Sequence, residues 1–229
     1  MKKFKLGADP EVFLTDGVRT VSAYGLFPGT KKEPFKVEKG AIQVDGMALE
    51  FNIDPAETAE EFSDNIEIVK AQMYEMVKKV DPALQLKFVP VADFDQEYFK
   101  TQPLEAKILG CEPDFNHSGA MNRLPEGMQD QPIRTTAGHV HIGFQDADDP
   151  MDARHFEDCR WLASYFYIGG YFSPKTLEER RRLNYYGAAA AFRPKKYGVE
   201  LRSPSNLWVA RRETQKQTFE IVKKVMHSL

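Results

Sequence analysis

The chain has 229 residues, 42% hydrophobic and 28% charged, with a formal net charge of -3. That length suits one sheet-based domain spanning residues 1–229 with a sizeable core, and the charge balance gives no chain-wide attraction to nucleic acid or an anionic membrane. Two cysteines, Cys111 and Cys159, are too few for a disulfide framework and form no C-x-x-C pair, so both are expected as buried structural thiols in a reducing cytoplasm.

Met1-Lys2-Lys3 opens like a signal sequence, but Lys5, Asp9 and Glu11 interrupt any apolar stretch, and no run approaches the roughly 18 residues of a membrane span. Phe4, Leu6 and then Val12-Phe13-Leu14 flank a polar turn, and Ala41 to Ile53 carries apolar residues in near alternation; together they predict two strands. Pro55 and Thr58 open a helix with Glu60 and Glu61 in its first turn, and Phe62, Ile66, Val69, Met73, Val77 and Val80 keep one buried face until Asp81-Pro82.

Phe88 to Val91 and Ala106 to Leu109 predict short strands, and Asn116 to Arg134, rich in Gly and Pro, a long loop of the kind more often functional or mobile than structural. His139 and His141 alternate with Val140, Ile142 and Phe144, a strand with one wet face. Met151 to Phe166 and Thr176 to Tyr186 predict helices, with Arg180-Arg181-Arg182 mostly solvated. Glu200-Leu201-Arg202 predicts a strand and Leu207 to His227 a closing helix. Helices and strands do not alternate strictly, so a doubly wound sheet is disfavoured; the fold class is α+β with a mainly antiparallel sheet. Gly7-Ala8-Asp9-Pro10-Glu11 is echoed at Gly110-Cys111-Glu112-Pro113-Asp114, by chance or by an old duplication.

Three constellations carry candidate chemistry. Asp9, Glu11, Asp45 and Glu50 form an acidic set, in which Glu50 stands in an otherwise apolar strand; alternation places Gln43, Asp45, Met47, Leu49 and Phe51 on one face and Val44, Ala48 and Glu50 on the other. Carboxylates about 4 Å apart repel by about 4 kcal/mol at an effective dielectric of 20, a penalty that Mg²⁺ removes. An exposed edge strand is the plain alternative. In Gly138-His139-Val140-His141-Ile142-Gly143 both imidazoles reach one side and can address one ligand, or are simply solvated. Arg193, Glu200 and Arg202 are a structural ion pair or the guanidinium-plus-carboxylate set that phosphoryl transfer asks for. No P-loop and no dinucleotide-binding glycine motif occurs.

Taken in order, Gly7-x-Asp9-Pro10-Glu11, Asp45 to Glu50-Phe51-Asn52, Gly110-x-x-Pro113-Asp114-Phe115, Ala137-Gly138-His139-Val140-His141-Ile142-Gly143 and Tyr197-Gly198-x-Glu200-x-Arg202-x-x-Ser205-Asn206-x-Trp208 resemble the phage-associated carboxylate-amine ligase family, itself similar to glutamine synthetase and glutamate-cysteine ligase. The resemblance implies a curved, mainly antiparallel sheet with flanking helices and a site on its concave face for ATP and Mg ions. It also implies metal carboxylates Glu11, Glu50 and Glu200 supported by Asp9 or Asp45, His139 and His141 near metal or nucleotide, and Arg193 and Arg202 at the phosphates. Ala137 stands where the family has a glycine, and Leu201 where it has an aromatic residue. The expected activity joins a carboxylate to an amine through an acyl phosphate. The rival expectations are a metal-dependent hydrolase built on the His-x-His strand and a non-catalytic scaffold. Assembly into a homo-oligomer is common among glutamine-synthetase relatives; neither the acid nor the amine is specified.

Overall fold

The computed structural model describes residues 3–109 and 113–228. In chain order these form β1 (Lys5–Thr15), β2 (Thr20–Val21), β3 (Phe35–Val37), β4 (Gly40–Asp45), β5 (Ala48–Ile53), α1 (Ala59–Val80), β6 (Gln85–Lys87), β7 (Val91–Asp93), α2 (Gln96–Thr101) and α3 (Leu104–Lys107). There follow β8 (Ile133–Thr135), β9 (Gly138–Gly143), α4 (Ala153–Ile168), α5 (Leu177–Arg182), β10 (Phe192–Lys195), β11 (Gly198–Leu201) and α6 (Arg212–Ser228). The fold is α+β with an antiparallel sheet, as the pattern of elements predicts. Its strand order is β10-β11-β9-β1-β5-β4-β3, β2 and β6 pair the far end of β1, and β7 and β8 form a separate ribbon.

Strand alternation gives the sheet two chemically different faces. Leu6, Val12, Leu49, Phe51, Val140 and Val199 point to one side, where Phe62 and Ile66 of α1, Leu162 of α4 and Phe219 of α6 close the main core. The polar residues point to the other side. Helix α1 has the predicted bounds: the Thr58 hydroxyl accepts from Glu61 N–H, Glu60 and Glu61 occupy the first turn, and Asp81 caps the end. Among the described residues no helix is long and apolar enough to cross a membrane.

Several expectations are corrected. No turn interrupts β1. Glu11 N–H bonds to Ala137 O on the β9 side, so Pro10 turns its nitrogen toward β5, where the ladder begins only at Glu11↔Glu50; no hydrogen bond is lost there. Ala41 to Ile53 is a hairpin rather than one strand, with Gly46 at φ 56° opening a two-residue turn between paired Asp45 and Ala48. Pairing then runs Gln43↔Glu50, so Gln43, Asp45 and Glu50 share a face, contrary to a parity counted straight through the turn. Residues 88–90 are irregular between β6 and β7, and Ala106 lies in α3, not in a strand.

The loop from Asn116 is mostly irregular as predicted, though it contains a short 3-10 turn at Met128–Asp130 and ends on β8. Helix α5 stops at Arg182, and Leu207 to His227 divides into a 3-10 turn, Asn206–Val209, and α6. The arginine triplet is solvated only in part: Arg180 is exposed and Arg181 half-buried, but Arg182 is buried, donating from Nε to Thr136 O (2.8 Å) and from Nη1 to Ser203 O (2.8 Å). Cys159 is buried as expected, and burial pushes its thiol up to about 12. Cys111, with the second Gly-x-acid-Pro-acid motif as far as Glu112, lies outside the described residues.

Candidate metal centre

Register assembles the predicted side chains on the sheet face opposite the main core. Arg193 pairs with Glu200 across β10 and β11, and Glu200 with His141 across β11 and β9. Asp9 lies opposite His139 and Gly7 opposite His141, while Glu11 lies opposite Glu50. All these residues project to the same side. The polar face of the strand is wet only in part: His139 is 3% exposed among other polar side chains of the site, while His141 is half-buried.

Two groups of ligand-type atoms result, each with its members within 4.8 Å of one another: Glu11, Asp45 and Glu50, and Asp9, His139 and Glu200. In the first, the Gln43 amide donates to Glu50 Oε2 at 2.7 Å, Ala137 N–H donates to Glu11 Oε2 at 2.8 Å, and Lys31 Nζ lies 2.9 Å from Asp45 Oδ2. Burial, and then the neighbouring carboxylate of Asp45, raises the Glu11 carboxyl to about 7. Burial together with Asp9, Glu11 and Asp45 holds Glu50 well above the usual range. At 4.8 Å and an effective dielectric of 20, each ionised pair would repel by about 3 kcal/mol.

The second group is charged differently. Burial would raise the Asp9 carboxyl, but His141 and then His139 outweigh it and hold it well below its ordinary value. Burial, followed by the Arg202 guanidinium, lowers His139, whose imidazole is therefore neutral and able to offer a lone pair. Burial also opposes charge on His141, yet Asp9 overcomes it and raises that residue. Burial and Asp9 push Glu200 up, but Arg202 and the two histidines prevail and bring it down to about 2. Arg193 Nη1 lies 3.1 Å and Lys195 Nζ 3.2 Å from Glu200 Oε2, Arg202 Nη1 pairs with Oε1, and Arg202 Nε donates to Asp114 Oδ2 at 2.9 Å.

The donor set fits divalent cations. His139 Nδ1 and His141 Nε2 lie 3.2 and 2.7 Å from Asp9 Oδ1, but the directions are wrong for hydrogen bonds, and all three buried atoms lack a directed partner. The lone pairs of Asp9 Oδ1 and His139 Nδ1, which converge without pointing at one another, suit a cation between them. The all-carboxylate group matches the hard oxygen preference of Mg²⁺, and the mixed group matches an ion such as Mn²⁺ that also accepts imidazole. Tyr186 OH, 3.3 Å from His139 Nε2, supports the outer side of that ring.

A cavity of about 470 Å³ opens above this face, with Asp9, Glu11, Asp45, Glu50 and His139 on its floor and Arg193, Arg202 and Lys195 along one side. Glu200 is fully buried beneath it. His141 faces a contiguous groove of about 1030 Å³, where its Nδ1 meets the Tyr197 hydroxyl. Asp9, Lys31, Gln43 and Glu50 border both spaces.

Sequence reasoning gave no role to Lys31, Lys195, Asp114, Tyr186 or Tyr197. Lys195 was accessible to it, because it follows Arg193 by two residues on a strand and so shares its face. Lys31 lies in an irregular segment with no periodic signal. No family model matches the chain, and a search of curated proteins finds none that matches.

Proposed function

We propose that this protein is an ATP- and Mg-dependent ligase that phosphorylates a carboxylate and lets an amine displace the phosphate, on a glutamine-synthetase-like catalytic domain. The observation that carries the reading is the meeting of two cation-binding groups with Arg193, Lys195 and Arg202 on one face of an antiparallel sheet. A polyphosphate asks for that combination of anionic anchors for metal and cationic side chains for oxygen.

Glu11, Asp45 and Glu50 would hold one ion, and Asp9, His139 and Glu200 another. When bound, such ions neutralise triphosphate charge and polarise the terminal phosphoryl group. Arg193 and Lys195 border the cavity where that group would sit and stabilise its equatorial oxygens. Arg202, tied to Asp114 and Glu200, supplies positive charge from a fixed position and keeps Glu200 ionised. His141, its charge favoured by Asp9, adds a cation beside the phosphates. The substrate carboxylate attacks the terminal phosphorus, ADP leaves, and the amine then attacks the acyl carbon to expel inorganic phosphate.

Thermal stabilisation separates this from its rivals: Mg-ATP raises the melting temperature of a ligase beyond metal alone, metal alone suffices for a hydrolase, and neither acts on a scaffold. With a carboxylate substrate labelled with heavy oxygen, one labelled atom is expected in inorganic phosphate. Label found only in AMP would replace phosphorylation by adenylation and remove the roles of Arg193 and Lys195.

A further inference from the structure

The cavity changes character along β1. Asp9 and Glu11 project into its polar part, and Phe13, about 7 Å further along the strand at the β repeat, projects into an apolar end. Phe13, Met47, Ala48 and Ala106 line that end and belong to a small hydrophobic cluster separate from the main core. Ile108, Leu109, Leu124 and Met128 complete its walls. Ile108 is 50% exposed, and Leu109 and Leu124 are half-buried, so apolar surface is left open beside a charged centre, as in ligand sites.

This wall is held in place. Arg134, 4% exposed, donates from Nη1 to Gln131 O (2.7 Å), Ile133 O (2.7 Å) and Met128 O (3.4 Å), and from Nη2 to Lys107 O (2.9 Å) and Gln129 O (3.0 Å). One guanidinium thus joins the end of α3 to the turn carrying Met128, and its plane covers Phe99 at 4.8 Å. All five of these bonds go to backbone carbonyls, and Asp130 is the acidic group that acts on the guanidinium electrostatically.

We infer that the carboxylate substrate carries an uncharged apolar body, of about isobutyl to phenyl size, that lies against the Phe13–Met47–Ala106 wall while its carboxyl group reaches the polar part of the cavity. This rests on the ligase reading for the fate of the carboxyl group, but the chamber's preference is measurable without turnover. Arg134 is a positioning residue, acting through the backbone it holds.

Calorimetric titration with acids from acetate to hexanoate, 3-phenylpropanoate and glutarate tests it, each with Mg²⁺ and a non-hydrolysable ATP analogue and again without them. Affinity is expected to rise about fourfold per added methylene until the chamber fills, with 3-phenylpropanoate well above glutarate. Ile108→Asn and Leu124→Asn, both at accessible positions, should flatten that rise while leaving Mg²⁺ binding unchanged. Affinity independent of chain length, tighter binding of glutarate, or no acid binding at all overturns the inference. Failure of the ATP analogue to bind, with the chain-length series intact, counts against the ligase reading alone.

Discussion

Glu11 titrates at about 7 in the fold against 4.5 as an ordinary glutamate, because burial and then Asp45 disfavour its charge. A raised folded pKa gives stability that is complete below pH 4.5 and is lost as pH rises through 7, on the order of 3 kcal/mol for this one group. Glu200 has the opposite sign: lowered to about 2, it contributes fully above pH 4.5 and loses that contribution only as pH falls through 2. Metal-free protein should therefore unfold at lower urea concentration at pH 8 than at pH 5, with a shallower slope in Glu11→Gln and the deficit at pH 8 reversed by Mg²⁺, which needs ionised ligands. An identical slope in the variant would remove Glu11 from the assignment. Glu50→Gln should keep the fold and lose Mg-dependent stabilisation. Arg202→Met, which leaves Asp114 and Glu200 buried with a partner missing, should cost about 3 to 5 kcal/mol in equilibrium unfolding. The paired histidines and the Asp9, Glu11, Glu50, Glu200 set were legible at this scale because polar residues between apolar neighbours on a strand need a reason. Their burial was not legible, since it depends on strands distant in sequence.

Elements were read well where one periodicity ran uninterrupted and badly where a single residue changed the geometry. Helix α1 offered a cap, acidic first turn and 3.6-residue repeat, all local, and its bounds followed. The hairpin at Gly46 inverted the face count because a two-residue turn pairs residues of opposite parity, and Pro10 suggested a turn although β1 continues through it. Gly138 shows how closely these elements approach: a Cβ there would lie 2.5 Å from Trp208 Nε1 and 2.6 Å from Ser205 O, while Trp208 Nε1 donates to Gly138 O at 3.0 Å. Gly138→Ala should therefore destabilise by about 1 to 3 kcal/mol and shift Trp208 fluorescence, and an unchanged unfolding midpoint would show that β9 can move away from the 3-10 turn. His139 and His141 should separate in the same assay. The buried His139→Ala lowers stability and metal affinity together, whereas His141→Ala, facing the open groove, acts mainly on turnover.

For the molecule as a whole, one sheet supports the core on one face and the candidate site on the other, so the proposed cation binding would be coupled to folding stability. The order β10-β11-β9-β1-β5-β4-β3 could not be read from the sequence, because no local signal says that β9 from the middle of the chain and β5 from its first quarter flank β1. The resemblance supplied the motif order; the register supplied which side chains meet. Added Mg²⁺ should slow hydrogen exchange in β1, β4, β5, β9 and β11, which carry the candidate ligands, and leave β7 and β8 of the separate ribbon unchanged. Unchanged exchange in all of these strands would count against Mg²⁺ binding on this face.

Asp9, Glu11 and Phe13 succeed one another at alternate positions of the same strand, and that makes β1 a ruler. The intervals from the mixed group to the carboxylate group and on to the apolar chamber are fixed by the pleat at about 7 Å per step, whatever the surrounding loops do. Lengthening or shortening β1 by one residue would turn part of the series toward the helices, so mutation cannot adjust these spacings gradually. What remains adjustable is the reach of each side chain, and an exchange of Asp for Glu at position 9 or 45 is the fine scale on which this site can be tuned.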